Sequence, residues 1–208
     1  MFTGLIEAIG TLASWQSRGR VVRLSVRTPL AADLTVGGSI AIDGVCQTVV
    51  HAAEGSFAVE ATGETLKRTT LASWRGPRDV NLERPVRADG RFDGHLVSGH
   101  VDAVVRLLSH RIESTGTWID VAHAAGLAHF VASQGSVALD GVGLTVATCT
   151  TESFSVSLIP HTLEHTTLGR KQPGDYLNLE VDLVARYVER LLRRGSSWSR
   201  EEGMDEWF

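Results

Sequence analysis

The chain has 208 residues, of which 43% are hydrophobic and 21% charged, a composition that is ordinary for a globular protein. Its net charge of −4, without a concentrated basic stripe, argues against nucleic-acid binding. No apolar run approaches the roughly 20 residues of a membrane-spanning helix, and the opening MFTG lacks the basic start and apolar core of a signal peptide. We therefore expect a cytoplasmic protein that binds neither nucleic acid nor membrane.

The most informative feature of the chain is an internal repeat with a constant offset of 97 residues. Residues 38–49 read GSIAIDGVCQTV, and residues 135–146 read GSVALDGVGLTV. The same offset relates residues 64–71, ETLKRTTL, to residues 161–168, HTLEHTTL. A constant offset over such a length predicts a tandem duplication, and duplicated domains tend to build related sites in pairs.

The beginnings of the two copies locate the boundary between them. FTGLIEA at residues 2–8 resembles VSGHVDA at residues 97–103 with an offset of 95, so a two-residue difference lies in a loop between the copies. We predict an N-terminal domain at 1–92, a C-terminal domain at 93–182, and a helix with a tail at 183–208.

Short segments rich in Val, Ile, Leu and Thr predict β-strands in both copies. Residues 21–26 and 154–159 show the alternation of apolar and polar side chains that is typical of strands. Glycine pairs and Asp-Gly dipeptides separate these segments at intervals that suit turns. About six strands in each copy, without long helical patterns between them, predict an all-β fold of two small closed barrels, since closure removes exposed sheet edges.

The period changes after the second barrel. Residues 183–192 carry apolar side chains at helical spacing with charged residues on the other side, which predicts an amphipathic helix. A helix of this length is marginal alone in water, so its apolar side must dock on its own barrel or form a subunit contact. From Gly195 onward we expect a weakly ordered tail.

Cysteine and histidine supply the candidate reactive groups. Cys46 lies opposite Gly143 in the repeat and is either an inert core residue or a reactive thiol. His100, with His95 nearby, lies beside a glycine turn where a ligand could approach the backbone. Cys46 and Cys149 lack metal-ligand spacing, so we expect reduced thiols and no metal site.

Three aspartates have structural explanations as well as chemical ones. Asp43 and Asp140 each precede glycine, a pair that favours tight turns. Asp182 lies between a strand and the terminal helix, where it could cap the helix. The residues alone therefore predict a duplicated barrel protein with two polar pockets, without defining a reaction.

Five motifs follow one another along the chain: MFTG at 1–4, DGVC at 43–46, GHLVSGH at 94–100, DGV at 140–142 and IPHTLEHTTLG at 159–169. A chain that combines them resembles the riboflavin synthase alpha-chain family. The resemblance implies two six-stranded Greek-key barrels and a C-terminal α-helix that drives assembly of a homotrimer.

The same resemblance implies a transferase of riboflavin biosynthesis. The reaction is a dismutation of two 6,7-dimethyl-8-ribityllumazine molecules into riboflavin and 5-amino-6-(D-ribitylamino)uracil. Each barrel would bind one lumazine, and a site would form between the N-terminal barrel of one subunit and the C-terminal barrel of its neighbour. The substrate carries the four-carbon unit that moves, so no cofactor is expected, and lumazine synthase is a possible partner.

By resemblance, Cys46 and His100 fall on catalytic positions of the N-terminal barrel, and Asp140 and Asp182 on acidic positions of the C-terminal barrel. His100 would assist proton transfer at an acidic lumazine methyl, and Cys46 would position or transiently add to the ring. The implied substrate contacts are Phe2, Gly4, Leu5, Ile6, Gln47, Thr48, Thr62, Gly63, Thr65, Gly99, Val101, Gln134, Gly143, Leu144, Thr145, Ile159, Pro160, His161 and Thr162.

The chain departs from the family pattern at three positions. Gly143 stands where the family usually has Ser or Thr, Gln134 where Lys is common, and Gln47 where Leu is normal. Lumazine proteins share the fold but bind a lumazine or flavin without synthesis, so a non-catalytic or altered-activity binding paralogue is the alternative function. Those relatives tend to lose the histidine that this chain keeps as His100, which favours the synthase.

Overall fold

The structure is a computed structural model that describes residues 1–114 and 116–198. It contains two closed, antiparallel, six-stranded barrels followed by an α-helix. This architecture confirms the predicted duplication, the all-β class and the Greek-key order of strands. The two short helices described below were not predicted from the sequence.

The first barrel has the circular strand order β1-β2-β5-β4-β3-β6. Its strands are β1 (Ala8–Arg18), β2 (Val21–Arg27), β3 (Ser39–Ile42), β4 (Val45–Ala53), β5 (Ser56–Thr62) and β6 (Arg78–Glu83). A short helix, α1 (Gly63–Arg68), follows β5, and 3₁₀ turns occupy Pro29–Asp33 and Thr70–Ser73.

The second barrel repeats the same topology as β7-β8-β11-β10-β9-β12. Its strands are β7 (Ala103–Glu113), β8 (Gly116–Ala122), β9 (Ser136–Leu139), β10 (Val142–Cys149), β11 (Ser153–Leu158) and β12 (Tyr176–Val181). The short helix α2 (Pro160–His165) matches α1, and 3₁₀ turns occupy Ala128–Phe130 and Thr167–Arg170.

The alternation of side chains along β4 shows how the sequence divides core from surface. Val45, Gln47 and Val49 are buried, whereas Cys46 is half-buried and Thr48 exposed. Because successive strand residues point to opposite faces, the first three face the barrel interior and the other two face outward. The outward face is therefore the one available to a ligand.

The barrels pack against each other through pairs of equivalent contacts, which define a pseudo-twofold axis. The Asn81 side-chain amide donates to the carbonyl of Asp140 (2.9 Å), and the Asn178 amide donates to the carbonyl of Asp43 (2.8 Å). Each asparagine side chain also accepts a backbone N–H from the other barrel, at Thr167 and Thr70 respectively. These buried amides thus link the two halves.

Two turns meet at this axis so closely that only glycine fits. A Cβ atom on Gly44 would lie 2.6 Å from the backbone nitrogen of Gly141, and a Cβ on Gly141 would lie 2.7 Å from that of Gly44. Both glycines also have positive φ, as do Asp43 and Asp140 before them. The Asp-Gly pairs form turns, as predicted, and the turns also form the centre of the inter-barrel contact.

Each barrel is completed by a segment from the other half of the chain. We call residues 2–6 and 97–101 the leading segments. Val101 packs in the core of the first barrel, and Ile6 packs against the core of the second. The N–H of Cys46 donates to the carbonyl of Gly99 (2.9 Å), and the N–H of Gly143 donates to that of Gly4 (2.8 Å).

Buried carboxylates fix the leading segments. Glu83, at the end of β6, accepts hydrogen bonds from the N–H groups of Thr3 (2.6 Å) and Gly4 (3.1 Å). Glu180, the equivalent residue on β12, accepts them from Ser98 (2.7 Å) and Gly99 (2.9 Å). Charged acceptors form strong hydrogen bonds with backbone N–H groups, so the two exchanged segments are held in the same way.

The terminal helix α3 spans Leu183–Trp198, which confirms the predicted helix and extends it. The helical backbone passes Gly195, where we predicted a weakly ordered tail; residues 199–208 lie outside the described part of the chain. Arg186 ties the helix to the barrel by an ion pair with Asp102 (2.8 Å). Within the described residues, no helix has the length and apolar character needed to cross a membrane.

Candidate functional site

The outward face of β4 lies beside the second leading segment, and we call the surface that they form the first pocket. Cys46 and Thr48 project from β4, and the Gly99 carbonyl is bonded to the backbone of Cys46. Val101 turns into the barrel core while His100, one residue earlier, is exposed. The structure therefore brings together Cys46 and His100, which are distant in sequence.

The Cys46 thiol is half-buried against an apolar cluster of Phe2, Ala41, Val97 and Ala138. This burial raises the pKa of the thiol above its usual value, although a hydrogen bond with the Ser39 hydroxyl opposes the shift. Cys46 is consequently a neutral thiol at pH 7. Since the thiolate is the nucleophilic form, the site favours a thiol that donates a hydrogen bond over one that attacks a ring.

His100 is held through its backbone while its imidazole stays accessible. Its N–H donates to the Ser98 hydroxyl (3.3 Å), and its carbonyl accepts a hydrogen bond from Arg186 of α3 (3.2 Å). The start of α3 therefore helps to position the segment that carries the candidate proton-transfer group.

The helix α1 adds hydroxyl groups to the first barrel. Thr62 caps the helix by accepting the N–H of Thr65 (3.4 Å), and the two hydroxyls lie 3.2 Å apart. Gly63 opens the helix and is exposed, and Leu66 packs against the barrel core. The cap explains why these residue types occur here, and their partial exposure leaves them accessible to a ligand.

The equivalent second pocket consists of Gly143 and Thr145 on β10, the first leading segment, and α2. Leu5, which is 50% exposed, stands where the first pocket has His100. Ile159, which is 60% exposed, stands where the first has Thr62, and it gives α2 no side-chain cap. Pro160, His161 and Thr162 begin α2. The second pocket is thus the less polar of the two.

His95, which the sequence marks only as a second histidine beside the glycine turn of His100, lies in the second pocket. A Cβ atom on Gly143 would lie 3.0 Å from Nδ1 of His95. Burial lowers the pKa of His95, and the negative charges of Asp182 and Glu180 partly offset this shift. The repeat could not reveal His95 because the match between the halves begins at residues 2 and 97.

Asp140 lies at the inter-barrel contact and is fully buried. One carboxylate oxygen accepts the N–H of Asn178 (2.7 Å), and the other lies 2.7 Å from Nζ of Lys171. Asp43 occupies the equivalent place in the first barrel and accepts the N–H of Asn81 (2.7 Å). The Asp140 side chain therefore makes structural contacts within the second barrel, beside the contact between the two barrels.

The two buried aspartates share the positive charge of Lys171. Burial and the neighbouring Asp140 raise the pKa of Asp43 to about 7, although Lys171 opposes the shift. Burial alone would lower the pKa of Lys171, but the charges of Asp140 and Asp43 outweigh it and leave this pKa above its ordinary value. The cluster therefore favours a single negative charge beside the lysine.

Asp182 begins the terminal helix, as the capping alternative predicted. Its carboxylate accepts the N–H of Val184 (2.8 Å) and its carbonyl accepts that of Arg186 (3.4 Å). It is also close enough to His95 to affect the pKa of that imidazole. Of the two acidic residues assigned by resemblance, Asp182 is thus the one beside the second pocket.

Some other candidate contacts present no side chain to a pocket face. Gln47 points into the first barrel, where its amide nitrogen donates to the Cys46 carbonyl (2.7 Å) and, among the described residues, its oxygen has no partner. Leu144 packs on the core of the second barrel, and Phe2 is buried between the barrels. Gln134 is an exposed turn residue with φ of 67°, and its N–H donates to the Val146 carbonyl (2.7 Å).

A cleft of about 880 Å³ borders the first leading segment. It includes Leu5 and Ser39 but neither Cys46 nor His100. Arg84 within it pairs with Glu7 (2.6 Å) and Asp33 (2.7 Å), so the cation is already neutralised. We therefore take the outward residues at the start of the two strands, which are Cys46 with Thr48 on β4 and Gly143 with Thr145 on β10, rather than this cleft, as the candidate site.

Comparison with known proteins places the chain in a family. The family model described as the lumazine binding domain matches residues 3–85 and 98–182. Riboflavin synthase from Actinobacillus pleuropneumoniae is 39% identical over 193 residues, covering 92% of this chain and 90% of the relative. The Mycobacterium tuberculosis (strain H37Rv) enzyme is 41% identical over 198 residues, covering 93% and 98%.

A solved structure shares the fold at much lower identity. The crystal structure of LumP complexed with 6,7-dimethyl-8-(1'-D-ribityl) lumazine superimposes with a TM-score of 0.79 at 16% identity, covering 87% of this chain and 99% of that chain. A structural match at 16% identity supports the fold alone, whereas the two relatives that are 39% and 41% identical are riboflavin synthases.

Proposed function

Because the chain belongs to the riboflavin synthase family, with two lumazine-binding domains, we propose that it catalyses the dismutation of two 6,7-dimethyl-8-ribityllumazine molecules. The products are riboflavin and 5-amino-6-(D-ribitylamino)uracil. A four-carbon unit leaves one lumazine, which becomes the pyrimidine, and joins the other, which becomes riboflavin. The two substrates together contain all the atoms of the two products, so the reaction is a transfer without an external oxidant or reductant.

The observation that carries this proposal is the pair of related pockets. A dismutation needs two copies of one molecule held against each other, and the repeat supplies two binding faces with the same frame. Each face combines an outward strand, a leading segment from the other half, and a short helix. Orientation of two bound reactants can supply much of the barrier reduction in such a reaction.

The residues of the first pocket suit the proton transfers of the reaction. Histidine is the commonest general acid–base group, and the His100 imidazole is exposed beside Cys46. We assign to His100 the transfer of a proton at the lumazine methyl group. We assign to the neutral Cys46 thiol a hydrogen bond that orients the ring, since burial disfavours the thiolate.

For the acidic residues we propose positioning roles. Asp182 caps α3, whose Arg186 binds the carbonyl of His100. Asp140 binds Asn178 and Lys171 of its own barrel, and its carbonyl accepts the cross-barrel hydrogen bond of Asn81. Both would act by fixing the pockets relative to each other. We also propose the domain limits 1–92 and 93–182, with 183–208 as an assembly segment.

The helix α3 supports a homotrimer. Its apolar residues are exposed in the single chain, with Tyr187 at 65%, Leu191 at 68% and Leu192 at 73%. Such a face is stable only when covered, and its polar side already contacts the chain's own barrel through Arg186. We propose that three α3 helices cover one another and bring the first pocket of one subunit opposite the second pocket of a neighbour. A cytoplasmic location and association with lumazine synthase belong to the same proposal.

Purified protein incubated with 6,7-dimethyl-8-ribityllumazine alone tests the proposed function. We expect riboflavin and the pyrimidine to appear in equal amounts without added cofactor. Tight binding of the lumazine without product would instead support the chromophore-binding alternative, which the comparisons do not favour. Sedimentation of the wild type against a Leu191→Asp variant tests the trimer, since a charge on the exposed face should dissociate it.

A further inference from the structure

The second pocket contains an imidazole that the family-based assignment does not use. The backbone N–H of His95 donates to the carbonyl of Thr3 (3.1 Å), which fixes the residue beside the first leading segment. Its side chain is half-buried and makes no hydrogen bond with the described residues. Its polar atoms are therefore available to a ligand.

The imidazole lies against the one position of β10 that lacks a side chain. A Cβ atom on Gly143 would be 3.0 Å from Nδ1 and 3.2 Å from Cε1 of His95. Gly143 and Thr145 lie on the outward face of β10, while Leu144 packs on the core. The histidine ring therefore occupies the space into which a larger residue at position 143 would project.

We propose that His95 binds the ligand in the second pocket, where its imidazole supplies the polar side chain that Gly143 lacks. The inference rests on the proposed function, because it assigns this contact to the second of the two lumazines. A neutral imidazole has one hydrogen-bond donor and one acceptor. The dioxopyrimidine edge of a lumazine offers an N–H donor and carbonyl acceptors, which makes that edge the matching group.

The surroundings keep this imidazole in the required form. Burial lowers the pKa of His95, and the charges of Asp182 and Glu180 only partly oppose the shift. The ring is therefore neutral at pH 7 and can both donate and accept. Glu180 is occupied by Ser98 and Gly99, so it does not compete for the ring.

Two variants and a control test the contact. His95→Phe keeps a flat ring without hydrogen-bonding atoms, and His51→Phe makes the same change at an exposed position of β4. With 6,7-dimethyl-8-ribityllumazine as the probe, we expect His95→Phe to weaken one of two binding events per chain by about tenfold, the effect of losing one hydrogen bond. The other binding event and the His51→Phe variant should stay within twofold of wild type.

Rescue by a residue on β10 provides the sharper test. The small alanine side chain of His95→Ala leaves room beside Gly143. Adding Gly143→Ser to this variant should therefore raise its affinity for the probe at least threefold. KM should follow affinity, while kcat changes less, and melting temperatures check the fold of every variant. Unchanged affinities in both His95→Phe and His95→Ala, or a double variant no better than His95→Ala, would overturn the proposal. Failure of the proposed function would appear separately, as wild-type protein that binds the probe in both pockets without forming riboflavin.

Discussion

The two pockets share their frame but differ in the side chains that face a ligand. Glu83 and Glu180 bind the leading segments in the same way, and Asn81 and Asn178 make the same cross-barrel contacts. On the outward faces, by contrast, Cys46, His100 and Thr62 of the first pocket correspond to Gly143, Leu5 and Ile159 of the second. Duplication thus retained the groups that fix the leading segments and join the barrels, while the outward side chains of the two pockets diverged.

The largest expected effect separates the chemistry of the pockets. His100→Gln should lower kcat about a hundredfold or more, since it removes the general acid–base group. His51→Gln, at an exposed site on the same barrel, should leave kcat within twofold of wild type. Steady-state riboflavin formation measures both. A His100→Gln enzyme that keeps more than a third of wild-type kcat would contradict the assignment.

A smaller but still large effect tests the shared frame. Gly44→Ala should lower the free energy of unfolding by about 3 kcal/mol, from positive φ and the collision with Gly141 together. Gly55→Ala has a similar φ of 70° but nothing within 4 Å, so it should cost only about 1 kcal/mol. Urea unfolding measures the difference. Equal losses of unfolding free energy in the two variants would show that the turns at Gly44 and Gly141 can move apart at little cost.

Because the contacts between the barrels are symmetric, replacing either asparagine should lower the free energy of unfolding by the same amount. Asn81→Ala and Asn178→Ala should each cost about 2 kcal/mol, because each change leaves buried backbone groups of the other barrel unpaired. Urea unfolding of both variants measures the pair. A difference larger than about 1 kcal/mol would show that the frame, like the faces, has diverged.

The buried aspartates predict a pH dependence. The folded pKa of Asp43 is raised to about 7 from the value of 3.8 that applies to an unperturbed aspartate, so the folded state holds a proton that the unfolded state releases between these values. Stability is therefore greatest below pH 4 for this group and falls as the pH rises to 7, by at most about 1.4 kcal/mol per pH unit for one proton.

Asp43→Asn should flatten that slope, since its amide oxygen can still accept the N–H of Asn81. The groups that act on Asp43 are Asp140, Lys171 and Arg78. Burial raises the pKa of Glu83 and Asp102 as well. Because these carboxylates also lower stability as the pH rises, the variant should keep part of the pH dependence. Melting temperatures between pH 4 and pH 8 measure the change. An unaltered dependence of the melting temperature on pH would show that a group other than Asp43 takes up the proton.

The smallest effect tests Gln47, a buried polar residue on the inner face of β4. Gln47→Leu should raise the free energy of unfolding by about 1 kcal/mol, because it removes a buried amide oxygen without a partner among the described residues. The reciprocal Leu144→Gln change in the second barrel should lower it by a similar amount or more. Urea unfolding decides, and a destabilised Gln47→Leu protein would indicate that the amide has a function.

The repeat made the two barrels predictable, but it gave no indication that they exchange their leading segments. A leading segment that stays in its own barrel and one that crosses to the other have the same pattern of apolar residues, so the exchange of Ile6 and Val101 leaves no sequence signal. Only the three-dimensional contacts distinguish the two arrangements. The helices α1 and α2, with six residues each, are likewise too short for a period to reveal.

The candidate site was predictable where side chains face outward on strands. A backbone hydrogen bond joins Cys46 to Gly99, the neighbour of His100, and Thr62 and Thr65 lie at the helix that follows β5. Asp140 was assigned by resemblance to the catalytic set, but its burial beside Lys171 depends on a contact between residues in turns of different elements. Such contacts have no fixed spacing, which is also why the sequence could not place His95 beside Gly143.

The exchange of leading segments sets an order for folding during synthesis. The first barrel has all its strands once residue 83 is made, yet its core still lacks Val101. Ile6 lacks its packing partners for longer, because the strand that receives its segment, β10, begins only at Val142. At about 5–20 residues per second, the ribosome leaves the Ile6 side chain without its receiving core for roughly 7–30 seconds. A holdase chaperone acting on the nascent chain would therefore find its target within the first residues.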